Sequence, residues 1–297
     1  TRYIGDWSSD VCSSDLPNVG KSTLMNTILH RKISIISPKP QTTRDAIQGI
    51  YTTKDVQMIF IDTPGIHKPN TTLGENMNHS AFQSTKEVEA AILIVDASED
   101  FGEGDQYILD RINTKVPLFV VFNKIDLCTI PQVEALKKIY QEKLPDAKMI
   151  EISALKDANV DTLLKALEDV LEEGPQYFPS DMYSDHSDSF LIAEIIREKT
   201  LTLLRDEVPH SIAVKIEKLT RKEDEMEVHA TIVCEKEGQK GIIIGKGGKM
   251  IKRIGTQSRY EIEKLFGVKC RLETFVRIEK DWRNSLRYLK EFGYNKD

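Results

Sequence analysis

Three short runs combine residue types and spacings suited to phosphate and base chemistry. Pro17, Asn18, Val19, Gly20, Lys21, Ser22 and Thr23 stand directly ahead of residues 24–29, which read as the first turns of a helix. A Gly-Lys-Ser step at a helix start aims backbone N–H groups and the positive end of the helix at a phosphate. Lys21 adds charge at the outer oxygens, and the Ser22 hydroxyl suits Mg²⁺. Asp15 stands five residues before Gly20, where the full GxxxxGK[ST] pattern has glycine. The second run, Asp62, Thr63, Pro64, Gly65 and Ile66, closes the apolar stretch 56–61. A carboxylate at the C-terminal end of a strand faces the ligand crevice of an α/β sheet and can hold Mg²⁺ through water, while the Gly65 N–H can approach a terminal phosphate. The third run, Asn123, Lys124, Ile125 and Asp126, follows the apolar stretch 117–122 without a gap. The Asp126 carboxylate, expected to be buried, matches the N1–H and exocyclic amine of guanine, whereas adenine offers neither donor there and leaves the buried carboxylate unpaired, at a cost of about 1–3 kcal/mol or more.

Two weaker signals take their weight from their order. Thr42 and Thr43, ahead of Arg44, lie in a loop past the phosphate cradle. A threonine there can give its hydroxyl to Mg²⁺ and its N–H to a γ-phosphate, so that the loop orders only with that phosphate. Ser153, Ala154 and Leu155 follow the apolar stretch 149–152, and the Ala154 N–H can meet guanine O6.

The elements that must position these groups alternate in type. Strands are expected at 33–36, 56–61, 90–95, 117–122 and 149–152, with helices at 105–112, 133–140 and 160–171, which gives a doubly wound, mostly parallel α/β sheet. Residues 1–16 do not fit this scheme, because a phosphate loop should follow a buried apolar strand. Gly5 to Asp15 is polar and Ser/Asp-rich and resembles translated sequencing-adapter sequence, so 1–16 reads as a non-native segment in place of the first strand. Asp15 would then bring negative charge towards the phosphates and weaken nucleotide binding. The first domain is expected to occupy 17–173 and a turn-rich linker 174–188.

The second domain, 189–297, opens with an amphipathic helix at about 189–204, apolar at Leu191, Ile192, Ile195, Ile196 and Leu203. Strands follow at 212–216, 226–233 and 268–278, and between the last two come a short helix, the loop Gly245, Lys246, Gly247, Gly248 and a longer helix to about 266. Side-chain-free positions in that loop let the backbone approach single-stranded nucleic acid, with Lys246, Lys249, Lys252 and Arg253 as the phosphate complement.

Composition sets the outer limits. At 297 residues, 40% hydrophobic and 30% charged, the chain has room for two domains. Its longest apolar runs fall far short of the ~18 residues of a membrane span, so no transmembrane segment and a cytoplasmic location are expected. Cys12, Cys128, Cys234 and Cys270 form no CxxC pair and are expected to be reduced thiols. Residues 210–297 carry 20 Lys and Arg against 14 Asp and Glu, although the whole chain has a net charge of −6. Nucleic acid is the natural partner for the basic end.

In that order, Pro17 to Ser22, Thr42 to Arg44, Asp62 to Ile66, Asn123 to Asp126, Ser153 to Leu155 and the Gly245 to Gly248 loop resemble the Era-like GTPase family, over everything after about Leu16. The resemblance implies a Ras-like P-loop GTPase domain followed by an α+β type II KH domain. It further implies GTP and GDP binding with Mg²⁺, slow GTP hydrolysis, and binding to the 3′ end of small-subunit ribosomal RNA during assembly of the small ribosomal subunit. The resemblance also implies some peripheral association with the inner face of the cell membrane, and the chain is expected to be a monomer. On the residues, Lys21, Thr43 and Gly65 act on the transferred phosphoryl group, and Ser22, Thr43 and Asp62 hold Mg²⁺. Ile66 stands where Ras-like enzymes place the glutamine that orients water, which implies slow turnover. Asn18 resembles the asparagine that holds K⁺ in cation-activated relatives. Two competing readings are a constitutive RNA-binding protein with a scaffold-only first domain and an adenine-nucleotide kinase or ATPase.

Overall fold

A run such as Ala90–Asp96, apolar at six consecutive positions, can be buried only if both faces of its sheet are covered. In the computed structural model this is its situation. The structure describes residues 2–6, 19–36, 47–62, 71–75, 88–110, 112, 116–204 and 211–294. They divide into two compact units, one within Thr1–Ser34, Thr43–Lys68 and Met77–Asp185, the other within Ile35–Thr42, Pro69–Asn76 and His186–Asp297.

The first unit holds β1 (Arg2–Asp6), α1 (Lys21–Ile28), β2 (Ile47–Thr52), β3 (Gln57–Asp62), β4 (Ala90–Asp96), α2 (Glu103–Leu109), β5 (Leu118–Asn123), α3 (Ile130–Lys143), β6 (Lys148–Glu151) and α4 (Val160–Glu168). Its sheet runs β2-β3-β1-β4-β5-β6, parallel except for the antiparallel edge strand β2. On one face Leu93, Val95, Val120 and Phe122 pack with Ile108 of α2 and with Val133, Leu136 and Tyr140 of α3. The alternate residues Ile92, Ile94, Phe119 and Val121, which point the other way, are equally buried. Tyr140 shows how a polar group enters this core: its ring stands edge-on to Phe101 and Phe122, and its hydroxyl donates to Asp105 Oδ1 at 2.6 Å. Burial and that carboxylate push its ionisation far above the ordinary tyrosine value.

Two expectations are corrected here. The segment 1–16, read as leaving the sheet without a first strand, supplies one: Arg2–Asp6 lies between β3 and β4 and is parallel to both. A ladder is made of backbone N–H and C=O groups, and the slot between two parallel strands takes a chain whose side chains announce no strand. Residues 33–36, expected as a strand, do not form one. The Asn26 side chain captures their backbone instead, accepting from the Ile33 and Ser34 N–H groups at 2.9 Å and donating to the Ser34 carbonyl at 2.7 Å. The strand in this region is β2, which the sequence did not announce and which pairs with β3 from Ile47 opposite Asp62 to Thr52 opposite Gln57. The stretch 174–185 packs with the first unit, where Gln57 accepts from the N–H groups of Tyr177 and Phe178 and donates to the Phe178 carbonyl.

The second unit holds α5 (Asp188–Leu203), β7 (Ala213–Arg221), β8 (Glu225–Cys234), α6 (Glu237–Ile244), α7 (Lys249–Phe266), β9 (Lys269–Ile278) and α8 (Leu286–Glu291). Its sheet runs β7-β8-β9, with β7 antiparallel and β9 parallel to β8. The core joins Ile192, Ile195 and Ile196 of α5 with Val228, Ala230 and Ile232 of β8 and with Ile254 and Ile262 of α7. Helix α5 is more than amphipathic: Glu194 and Arg197 are buried as well, neutralising each other through bonds of 2.6 and 2.7 Å. Cys234 and Cys270 are buried thiols, each pushed up to about 11 by desolvation. Among the described residues no helix is long and apolar enough to cross a membrane, and no group of three or more His, Cys, Asp or Glu is arranged to hold a metal ion.

The Asn26 clamp leads to a stability prediction. Asn26→Ala leaves three backbone groups of 33–34 without their partner and should cost about 2 kcal/mol, read as a lower denaturant midpoint at unchanged slope. An unchanged midpoint would show that water replaces the side chain at no cost.

Candidate functional site

The C-terminal ends of β4, β5 and β6 lie side by side, so the groups that follow them meet at one edge of the sheet. Asn123, the last residue of β5, is 2% exposed and sits at the centre. Its Nδ2 donates to the Val19 carbonyl at 2.7 Å, and its Oδ1 accepts the Ala154 N–H at 2.9 Å. One carboxamide therefore ties the phosphate loop to the loop expected to read the base. Gly20 passes so close that a Cβ there would fall 2.2 Å from Asn123 Nδ2, and its φ of +101° is a left-handed value that suits glycine. Helix α1 begins immediately after it at Lys21, so Ser22 and Thr23 lie in the first turn, whose N–H groups have no partner within the helix. A glycine pressed against the cradle and a helix mouth behind it fit a phosphate.

The groups expected to read the base are equally defined. Lys124 adopts φ +65°, outside the ordinary range for a side-chain-bearing residue, and pairs with Asp96 at the end of β4. Asp96 in turn accepts from the N–H and hydroxyl of Ser98. Sequence reasoning missed Asp96, although its signal matched that of Asp62: a carboxylate closing an apolar strand. Asp126 lies in a short 3₁₀ turn, Ile125–Leu127, where its Oδ1 accepts the Ser153 hydroxyl at 2.6 Å. That bond uses one carboxylate oxygen and orients the second. Asp126 is exposed, which corrects the expectation of a buried carboxylate: it is desolvated only when a base covers it. Reciprocal bonds of 3.0 Å between Ser153 and Ala158 close the loop that presents Ala154, which is buried, and Leu155, which is 75% exposed. A shallow cleft beside Val19 is lined by Asp96, Glu99, Asp100 and Asp105, and its acidity does not suit phosphate.

Several expected site residues lie outside the described residues: Pro17, Asn18, Thr43, Thr63, Pro64, Gly65 and Ile66. Asp62 closes β3, opposite Ile47, and its backbone alone is described.

In the second unit, Gly245, Gly247 and Gly248 have φ of +70°, +60° and +75°, so the chain turns sharply between α6 and α7. A Cβ at Gly245 would meet Met250 Cβ at 2.7 Å, while at Gly247 and Gly248 nothing lies within 4 Å, leaving the backbone open to a close partner. Lys246, Lys249, Lys252 and Arg253 are all exposed around the start of α7. Ile242, 50% exposed at the end of α6, adds an apolar surface beside them. Basic side chains, open backbone and a helix N-terminus together suit a sugar-phosphate chain.

Two family descriptions match the chain: a 50S ribosome-binding GTPase over residues 15–124 and a KH domain over residues 207–283. The chain is 48% identical over 281 residues to the GTPase Era of Lacticaseibacillus paracasei, covering 94% of each protein. It is 45% identical over 287 residues to the GTPase Era of Staphylococcus haemolyticus, covering 95% of each. Among solved structures, Era in complex with MgGDPNP and nucleotides 1506–1542 of 16S ribosomal RNA matches with a TM-score of 0.91 at 38% identity, over 99% of each chain. An Aquifex aeolicus Era variant bound to GDP and AlF4− matches with the same TM-score and identity.

The Asp126 geometry defines a specificity test. Replacing its open oxygen with an amide NH₂ in Asp126→Asn turns an acceptor of guanine's donors into a donor for the 2-oxo group of xanthine. GDP affinity should fall about 100-fold, because two hydrogen bonds to a charged group disappear, and xanthosine diphosphate should become the preferred ligand in competition titrations. Retained GDP preference would refute the assignment.

Proposed function

The chain belongs to the Era family of GTPases, and on that premise we propose that it is a GTP-hydrolysing switch whose second unit binds the 3′ end of small-subunit ribosomal RNA during assembly of the small ribosomal subunit. The observation that carries the nucleotide half is the Asn123 bridge, which sets phosphate loop and base loop in one register. The RNA half is supported by the open Gly245 to Gly248 turn with its four exposed cations, and by the relative that was solved with 16S ribosomal RNA.

The residues divide the work as follows. Asp126 and the 153–155 loop orient the guanine, and Lys124 lies along the strand end beside it. The mouth of α1 and Lys21 neutralise the phosphate charge that grows as water attacks in line. Ser22, Thr43 and Asp62 carry the hydroxyl and carboxylate oxygens that would hold Mg²⁺, which would supply neutralisation of phosphate charge. Gly65, free of a side chain, would let its N–H approach the transferred group. Ile66, being aliphatic, cannot orient the attacking water, so the chain by itself turns over slowly.

We further propose that K⁺ held by Asn18 supplies the charge that other GTPases take from an arginine. Steady-state GTP hydrolysis should be faster in K⁺ than in Na⁺, and Asn18→Ala should abolish the difference; equal rates in both salts would exclude it. For the RNA half, Lys246→Ala combined with Lys249→Ala should weaken binding to a 3′-end 16S oligonucleotide. It should also lower the slope of log affinity against log salt by about 1.4, at ~0.7 for each single-strand phosphate that is no longer neutralised. A double variant with an unchanged salt slope would place the RNA elsewhere.

A further inference from the structure

We propose that Thr27 is a positioning residue for base selectivity: its hydroxyl sets the Ala154–Leu155 peptide that faces the 6-oxo edge of guanine. The inference rests on the guanine reading of the site and adds to it a residue that belongs to none of the nucleotide-binding runs.

A threonine inside a helix has a ready local partner, the carbonyl one turn back. Thr200 and Thr256 follow that habit here, donating to Ile196 and Lys252 at 2.7 and 2.8 Å. Thr27, on α1, does not. Its Oγ1 donates instead to the Ala154 carbonyl at 2.8 Å, across 127 residues of sequence. Ala154 is 1% exposed, and its N–H is given to Asn123 Oδ1. The residue is thus held on both sides, by Asn123 at its N–H and by Thr27 at its carbonyl.

The consequence is chemical. The Ala154 carbonyl and the Leu155 N–H belong to one planar peptide, so fixing the first fixes the direction of the second. Because the Ala154 N–H is already engaged by Asn123, it can offer guanine O6 only a shared hydrogen, and the Leu155 N–H becomes the complementary donor. Thr27 therefore governs how a 6-oxo group is met. Asp126, braced separately by Ser153, governs the 2-amino group and N1–H. The two edges of the base are read by groups held through different hydrogen bonds. Helix α1 also carries Lys21 at its other end, about 9 Å along the axis, so one rigid element spans the phosphate cradle and the base loop.

The test is a competition titration of the full chain with GDP, inosine diphosphate, which lacks only the 2-amino group, and 6-thioguanosine diphosphate, whose sulfur is a poor acceptor at position 6. In Thr27→Val, GDP should bind about fivefold more weakly, the loss of one hydrogen bond. The preference for GDP over the 6-thio analogue should shrink towards unity, the preference for GDP over inosine diphosphate should stay, and Thr27→Ser should restore both. If Thr27→Val weakens all three ligands equally, or none, Thr27 is structural and the proposal is overturned. If the unaltered chain does not prefer GDP over inosine diphosphate, the guanine reading itself fails, an outcome recognisable without any Thr27 variant.

Discussion

The nucleotide site depends on a single buried carboxamide. Asn123 has a donating NH₂ and an accepting oxygen on one amide, and it commits one to each of two loops far apart in the chain, at Val19 and Ala154. A buried amide leaves little tolerance, because an unmatched donor or acceptor costs more than a made bond contributes. The chain therefore cannot shift one loop without disturbing the other. Gly20 is a consequence of the same constraint, since any side chain at that point would occupy the space of the Asn123 amide. Asparagine suits the role better than a carboxylate, which could accept from Ala154 and could not donate to Val19.

Around this centre, polar groups are paired so that each functional side chain has a support of its own. Asp96 holds Lys124, Ser153 holds Asp126, Asn26 holds the chain after α1, and Thr27 holds Ala154. The supports come from several elements, so the site is rigid although its reading groups lie in loops. The second unit follows a different principle. Its glycine turn makes backbone accessible at three positive φ values, with charge supplied by exposed lysines and arginine. A site that selects one base needs preorganised dipoles, whereas a site that grips a phosphate chain needs proximity and charge.

The sequence was most legible where a local pattern has only one physical solution. An apolar run buried on two faces must be an inner strand, a Gly-Lys-Ser step at a helix start must face an anion, and a carboxylate after such a strand must lie at the ligand edge. On those grounds the doubly wound sheet, the helix start at Lys21, the strand ending in Asn123, the glycine turn between α6 and α7 and the order of the second unit were readable, and so was the family. Residues 33–36 misled because their β-branched composition suits a strand, whereas the Asn26 side chain satisfies their backbone before any neighbouring strand can. Residues 2–6 misled in the opposite sense: their side chains carry no strand pattern, and their place in the sheet comes from backbone pairing with β3 and β4.

By itself, then, the sequence determined which residues are suited to the chemistry, because residue type and spacing along one element are local properties. Tertiary structure alone decided which groups hold them in place. That Thr27 faces Ala154, that Lys124 pairs with Asp96, and that Ser153 holds an exposed Asp126 are facts about residues far apart in the chain. Those partners are chosen by how the strands align and the helices pack, and no short stretch of sequence records that choice.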